Sequence, residues 1–141
     1  MANLMRISEA ASLALHTVSF LAATGEAMAT TGEIARAFGV SHAHLSKVLQ
    51  RLVGAGIVNS ARGPHGGFRL APGGRRATLL DVYQAIEGPI QSDECLLGSF
   101  VCGGKCIMGD LITSVNRLVT QRLSKTKVSD VARLPGRRRN R

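Results

Sequence analysis

With 141 residues the chain is long enough for about one domain, and its 45% apolar content is ordinary for a protein that buries a core. Aromatic residues make up only 4%, with no Trp and one Tyr, which argues against a single-strand binder that stacks bases on aromatic platforms. The net charge is +9, but Arg133, Arg137, Arg138, Arg139 and Arg141 contribute five of those charges without an intervening acid, leaving +4 on the rest; residues 133–141 therefore read as a basic disordered tail, either simply solvated or adding attraction to phosphate.

Residues 8–23 read as a first, mostly apolar helix. Its polar positions Glu9, Ser12, His16 and Ser19 recur every three or four residues and so share one face. The least charged stretch, Ala10 to Gly25, is too short and too mixed to span a bilayer. Glu9 at its start, with only Arg6 as a preceding cation, does not match a secretory signal. The expected location is cytoplasmic, with no membrane partner.

Residues 30–55 predict two helices joined by a tight turn. Thr30 with Glu33 forms a capping-box pattern, Ala35 and Gly39 allow a close turn, and Ser41 caps the second helix. Leu45, Val48, Leu49 and Leu52 then form a buried stripe at helical spacing. Residues 57–61 and 67–71 predict two short strands around the turn-rich tip Arg62-Gly63-Pro64-His65-Gly66, which makes a wing. Residues 78–88 predict another amphipathic helix, capped by Thr78 and ended by Pro89. From about Cys106 a long stripe follows through Met108, Leu111, Ile112, Val115, Leu118 and Val119. A domain this small has little core left to cover such a stripe, so pairing with a second copy is its expected use, with packing inside its own subunit as the alternative.

The resulting fold class is mainly α with a small two-stranded wing: a winged helix-turn-helix plus a long dimerisation helix. The expected divisions are a DNA-binding domain at 1–90, a cysteine loop at 91–106, a dimerisation helix and end at 107–132, and the tail at 133–141.

A recognition helix enters the major groove with its N-terminal residues toward the base edges. The candidates are Ser41, His42, His44 and Ser46, with Lys47 and Arg51 further along. Arg51 is equally suited to a surface salt bridge. At the wing tip, Arg62 on a Gly-Pro turn can reach a narrow minor groove, where negative potential is concentrated. Gly63, Gly66 and Gly67 let the backbone approach phosphates without a side-chain clash, and His65 lies beside them. A plain hairpin turn is the simpler reading of the same residues.

The stretch from Ile34 to Ala71, with HLSKVLQRLVGAGIV and ARGPHGGFRLA, together with TLLDVYQAIEG after the wing and MRISEAASLALHTVSFLA at the start, resembles the Rrf-two family of winged-helix repressors of the IscR, NsrR and RirA type. The resemblance covers about residues 5–132. It implies a homodimer on a palindromic operator in double-stranded DNA, with Arg62 probing the minor groove and the two recognition helices about 34 Å apart.

Cys95, Cys102 and Cys106 are the only cysteines, and they fall within twelve residues. In a cytoplasmic chain such a cluster points to metal or redox chemistry, not to a structural disulfide. Gly98, Gly103 and Gly104 keep the segment pliable, and Lys105 with the following helix N-terminus favours thiolates. Thiolates suit iron–sulfur clusters, zinc or copper(I), and the spacing alone does not choose among them. The resemblance implies an iron–sulfur cluster. The short second spacing leaves [2Fe-2S] and [4Fe-4S] both open, and a metal-free thiol switch remains an alternative. Three cysteines leave a fourth ligand to be found. The His that completes the site in some relatives is replaced here by Gly109, and the acidic position of others by Ser12. A further family variant places a His one turn later, which corresponds to His16; Glu9, on the same face, is the runner-up.

The expected function is a repressor switched by a cluster that responds to nitric oxide, redox state or iron supply. The alternatives are a metal-free regulator controlled by thiol oxidation or a partner protein, and a small iron–sulfur carrier in which the helix-turn-helix has no use. An enzyme is not expected: no nucleophile–base pair or phosphate loop stands in a suitable context.

Overall fold

The computed structural model describes residues 7–90, 102–103 and 106–132. Helix α1, Glu9–Thr24, starts at Ser8, whose hydroxyl accepts the Ala11 N–H at 3.0 Å. Helix α2, Thr31–Phe38, carries the expected capping box. The Thr30 N–H donates to the Glu33 carboxylate at 2.7 Å, and the Glu33 N–H donates to the Thr30 hydroxyl at 3.2 Å. These bonds occupy backbone donors that a helix start leaves without partners. Gly39 at φ 66 then turns the chain into α3, His42–Gly54, capped by the Ser41 hydroxyl.

The wing strands are β1, Val58–Ala61, and β2, Gly67–Leu70. They pair antiparallel, with Val58 opposite Leu70 and Ala61 opposite Gly67. Ala29, between α1 and α2, exchanges two backbone hydrogen bonds with Phe68 at 2.8 and 2.9 Å, so the base of the wing is stitched to the helical body. Fold class and wing agree with the sequence reading.

Two short helices are additions to that reading. Helix α4, Pro72–Arg76, begins with a proline, which suits a first helical turn. Gly74 presses on the preceding strand connection: a Cβ there would lie 1.9 Å from the Ile57 carbonyl oxygen. Helix α5, Leu79–Glu87, repeats the capping box through Thr78 and Asp81. Helix α6, Gly109–Lys125, starts later than expected, with Cys106 outside it and Met108 at its N-cap. After it the chain returns to the body. The Leu79 N–H donates to the Thr126 carbonyl at 2.8 Å and the Val128 N–H to the Ala77 carbonyl at 2.9 Å, which leads into α7, Val128–Val131. Four residues with one core side chain carry no periodic signal, so α7 could not be read from the sequence.

The core lies between α1, α3 and α5, closed by β1 and α7. Leu21, Ile34, Leu45, Leu49, Leu52, Val58, Val82 and Val128 are among its fully buried side chains. Helix α6 packs beside α5 but has no buried residue among those described; Leu111 is 52% and Leu118 61% exposed. No described helix is long and apolar enough to cross a membrane.

Candidate nucleic-acid interface and cysteine segment

The start of α3 and the wing tip offer the exposed polar surface that the sequence singled out. Ser41 is exposed, but its hydroxyl accepts the His44 N–H at 3.1 Å, so it is engaged as a cap. His42 is exposed, with Nδ1 3.4 Å from the Ser46 hydroxyl one turn on. Lys47 is exposed. His44 is half-buried and faces Glu9 of α1, Nδ1 to Oε1 at 3.7 Å, a contact between residues too distant in sequence to be foreseen.

Arg51 has another position. It sits nine residues beyond His42, about 13 Å along the helix from the groove-reading end. Its Nη1–H donates to the Ile86 carbonyl of α5 at 3.0 Å. The guanidinium thus has a partner inside its own subunit, a carbonyl where the sequence reading considered a carboxylate.

Arg62, Gly63, Pro64 and His65 form the exposed wing tip. No hydrogen bond or ion pair engages Arg62 among the described residues, so its guanidinium is free for an incoming anion. The tip closes through the Gly66 N–H, which donates to the Gly63 carbonyl at 3.0 Å. A Cβ at Gly66 would lie 2.2 Å from the Ala61 carbonyl oxygen. Nothing larger than glycine fits there, so the hairpin geometry that presents Arg62 is built into the backbone. At the other end of the wing, the Arg69 and Arg75 cations approach Glu26 at 3.7 and 2.9 Å and are partly neutralised by it. Nothing local in the sequence marks the acid that these two arginines share.

Of the cysteines, Cys102 and Cys106 are free and exposed, and Cys95 lies outside the described residues, as does the tail at 133–141. Among the described residues no three His, Cys, Asp or Glu side chains come together as a metal site. His16 is exposed on α1, with its ring edge-on to Phe38 at 6.0 Å between centroids. Its Nδ1 is 2.6 Å from the Ser12 carbonyl oxygen. A carbonyl only accepts, so Nδ1 carries the hydrogen and the neutral ring keeps its lone pair on Nε2. Ser12 and Glu9 share that face. The donor chemistry of exposed thiols and an available imidazole nitrogen fits a thiolate-bound iron–sulfur cluster or zinc.

The family model for Rrf2, described as an iron-dependent transcriptional regulator, matches residues 7–134. The chain belongs to the Rrf2 family of transcriptional regulators. Similar curated proteins include protein aau3 of Rhizobium meliloti, 40% identical over 91 residues, which are 64% of this chain and 59% of that protein. The transcriptional repressor NsrR of Streptomyces coelicolor is 32% identical over 93 residues, 64% of this chain and 63% of that protein. The chain thus spans about three-fifths of the length of these two relatives. Among solved structures, CymR, the global cysteine regulator of B. subtilis, superposes with a TM-score of 0.74 at 25% identity, covering 92% of this chain and 97% of that one. IscR of T. potens superposes with a TM-score of 0.72 at 23% identity, covering 90% and 85%, and shares the fold. Regulators of the Rrf2 family bind DNA, are typically dimeric and are generally not enzymes. The helix-turn-helix and wing described above are the parts of this member suited to that work.

Proposed function

We propose that this Rrf2 member is a repressor that binds a palindromic operator as a homodimer and is switched through its cysteine segment. The observation that carries the DNA-binding part is the combination of an exposed Arg62, without a partner among the described residues, on a glycine-built tip with the exposed start of α3. A helix N-terminus delivers polar side chains to base edges in the major groove, and a guanidinium on a wing suits the negative potential of a narrow minor groove. Ser41, His42, Ser46, Lys47, Arg62, Gly63 and His65 form this surface. His44 adjoins it, and Arg51 is directed to α5. The uncovered stripe of α6, including Leu111 and Leu118, supplies the surface for the second copy.

Cys95, Cys102 and Cys106 would hold an iron–sulfur cluster, with His16 Nε2 as the side chain available for the remaining position. When bound, such a group supplies sensitivity to oxidants, nitric oxide or iron supply. A second reading, a metal-free thiol switch, is favoured by the exposure of Cys102 and Cys106.

Anaerobic purification followed by visible absorption and an iron and sulfide assay separates the two. A visible band that disappears in each of Cys95→Ala, Cys102→Ala and Cys106→Ala is expected for the cluster. A featureless spectrum from protein that still selects a palindrome from a random DNA pool favours the thiol switch. Failure to select any sequence contradicts the DNA-binding reading itself.

A further inference from the structure

Three polar ties join α1, α3 and α5 in a closed ring. The Ser8 hydroxyl at the start of α1 donates to the Glu87 carboxylate at the end of α5. Glu9, the next residue, faces His44 near the start of α3. Arg51, two turns further along α3, donates to the Ile86 carbonyl at 3.0 Å. The recognition helix is thus held at two points, and both lead to one place: the Ile86–Glu87 end of α5, followed by Gly88, Pro89 and Ile90 and then by the cysteine segment.

The Arg51 tie has a clear physical basis. The last carbonyls of a helix have no partner within it. Ile86 is buried, so its carbonyl is poorly placed to find water, and a cation at a helix C-terminus is favourably aligned with the helix dipole. Arg51 fills both roles from the neighbouring helix. Moving the end of α5 therefore pulls on α3 through a charge-assisted bond that is part-buried.

We propose that Arg51 is a coupling residue and not a DNA contact: it transmits the state of the cysteine segment from the end of α5 to the recognition helix. This rests on the reading that the cysteine segment is the switch. Arg51 positions α3; the surface that meets DNA is the start of α3 and the wing tip. Coupling between two sites is a ratio of affinities, and ratios of about 5–150 are usual. Truncating Arg51 brings that ratio toward one and leaves the affinity of one state close to that of the wild type.

The test uses the full chain and an operator duplex selected from a random pool. Affinity is measured before and after treatment with N-ethylmaleimide, which reaches exposed thiols, for wild type, Arg51→Ala and Arg51→Lys. Circular dichroism and the thermal midpoint monitor folding, and the salt dependence of binding is recorded for each. The expected result is a ratio well above one for wild type, near one for Arg51→Ala and intermediate for Arg51→Lys, which keeps a charged donor, with one salt slope throughout. Should Arg51→Ala fail to fold, Arg51→Lys decides alone: a ratio lower than wild type supports coupling, and an equal ratio overturns it. An unchanged ratio in a folded Arg51→Ala overturns the proposal and leaves the cysteine switch standing. An equal loss of affinity in both states, with a salt slope smaller by about one, makes Arg51 a phosphate contact and also overturns it. A wild-type affinity indifferent to N-ethylmaleimide defeats the cysteine switch, and the coupling role with it.

Discussion

From α1 to α5 every helix buries at least one residue, whereas α6, longer than any of them, buries none of those described. The first region packs around Leu21, Ile34, Leu45, Leu49 and Leu52, with Val128 of α7 completing the core and the base of the wing stitched to the body through Ala29 and Phe68. The second leans on α5 and turns Leu111 and Leu118 outward. Fully burying a leucine side chain is worth about 1.5–3 kcal/mol relative to leaving it exposed, so the second region has most to gain from a partner surface. The comparison teaches that the winged helix-turn-helix part spends its apolar residues on a shared core, whereas the exposed face of α6 is the surface on which pairing with a second copy is proposed.

The comparison breaks most sharply at α6. Leu111→Asp combined with Leu118→Asp places two charges where an apolar interface is proposed, and a buried unpaired charge costs several kcal/mol. Because neither side chain belongs to the core, the double variant is expected to keep its helical content and sediment as a monomer. Operator affinity should fall by about 100-fold or more, since two half-sites no longer bind together. A folded double variant that still sediments as a dimer would contradict the assignment of this face.

A smaller effect is expected at the wing. Arg62 is exposed and has no partner among the described residues, so Arg62→Ala should leave folding and dimerisation unchanged while weakening operator binding by about 1–3 kcal/mol. Gel-shift titration reads this directly, and an unchanged affinity would remove Arg62 from the interface.

The smallest effect lies at the start of α2. The N–H and O–H of Thr30 hold the Glu33 carboxyl below its ordinary value of 4.5. A depressed carboxyl stabilises the fold fully above its unfolded-state value, and this contribution is lost as the pH falls through the lower folded-state value. Urea midpoints followed into the acid range should therefore drop less steeply for Glu33→Gln than for wild type. Parallel curves would show that the capping box contributes nothing to acid sensitivity.

Much of the first region was legible because its signals are local. Thr30 with Glu33 and Thr78 with Asp81 place helix starts within three residues, and Leu45, Val48, Leu49 and Leu52 mark a buried face by spacing alone. The glycine-rich tip around Arg62 likewise declared a wing, and its geometry matches: Gly66 admits no side chain. The residues Cys95, Cys102 and Cys106 were equally plain as a cluster in sequence, although their spacing does not specify what they hold.

What the sequence determined by itself was the longer helices in their order, the wing, the apolar stripe of α6 and the family. These depend on caps, periodicity and turn chemistry, which act over a few residues. Only the tertiary structure decided which side chains face each other across long separations: His44 with Glu9, Arg69 and Arg75 with Glu26, Gly74 against Ile57, and Val128 in the core. It also placed the Arg51 guanidinium, further along α3, on the carbonyl of Ile86, thirty-five residues away. A side chain's donors go to whatever acceptor the packed helices bring within reach, and that is set by how α3 and α5 pack, which no pattern along either helix records.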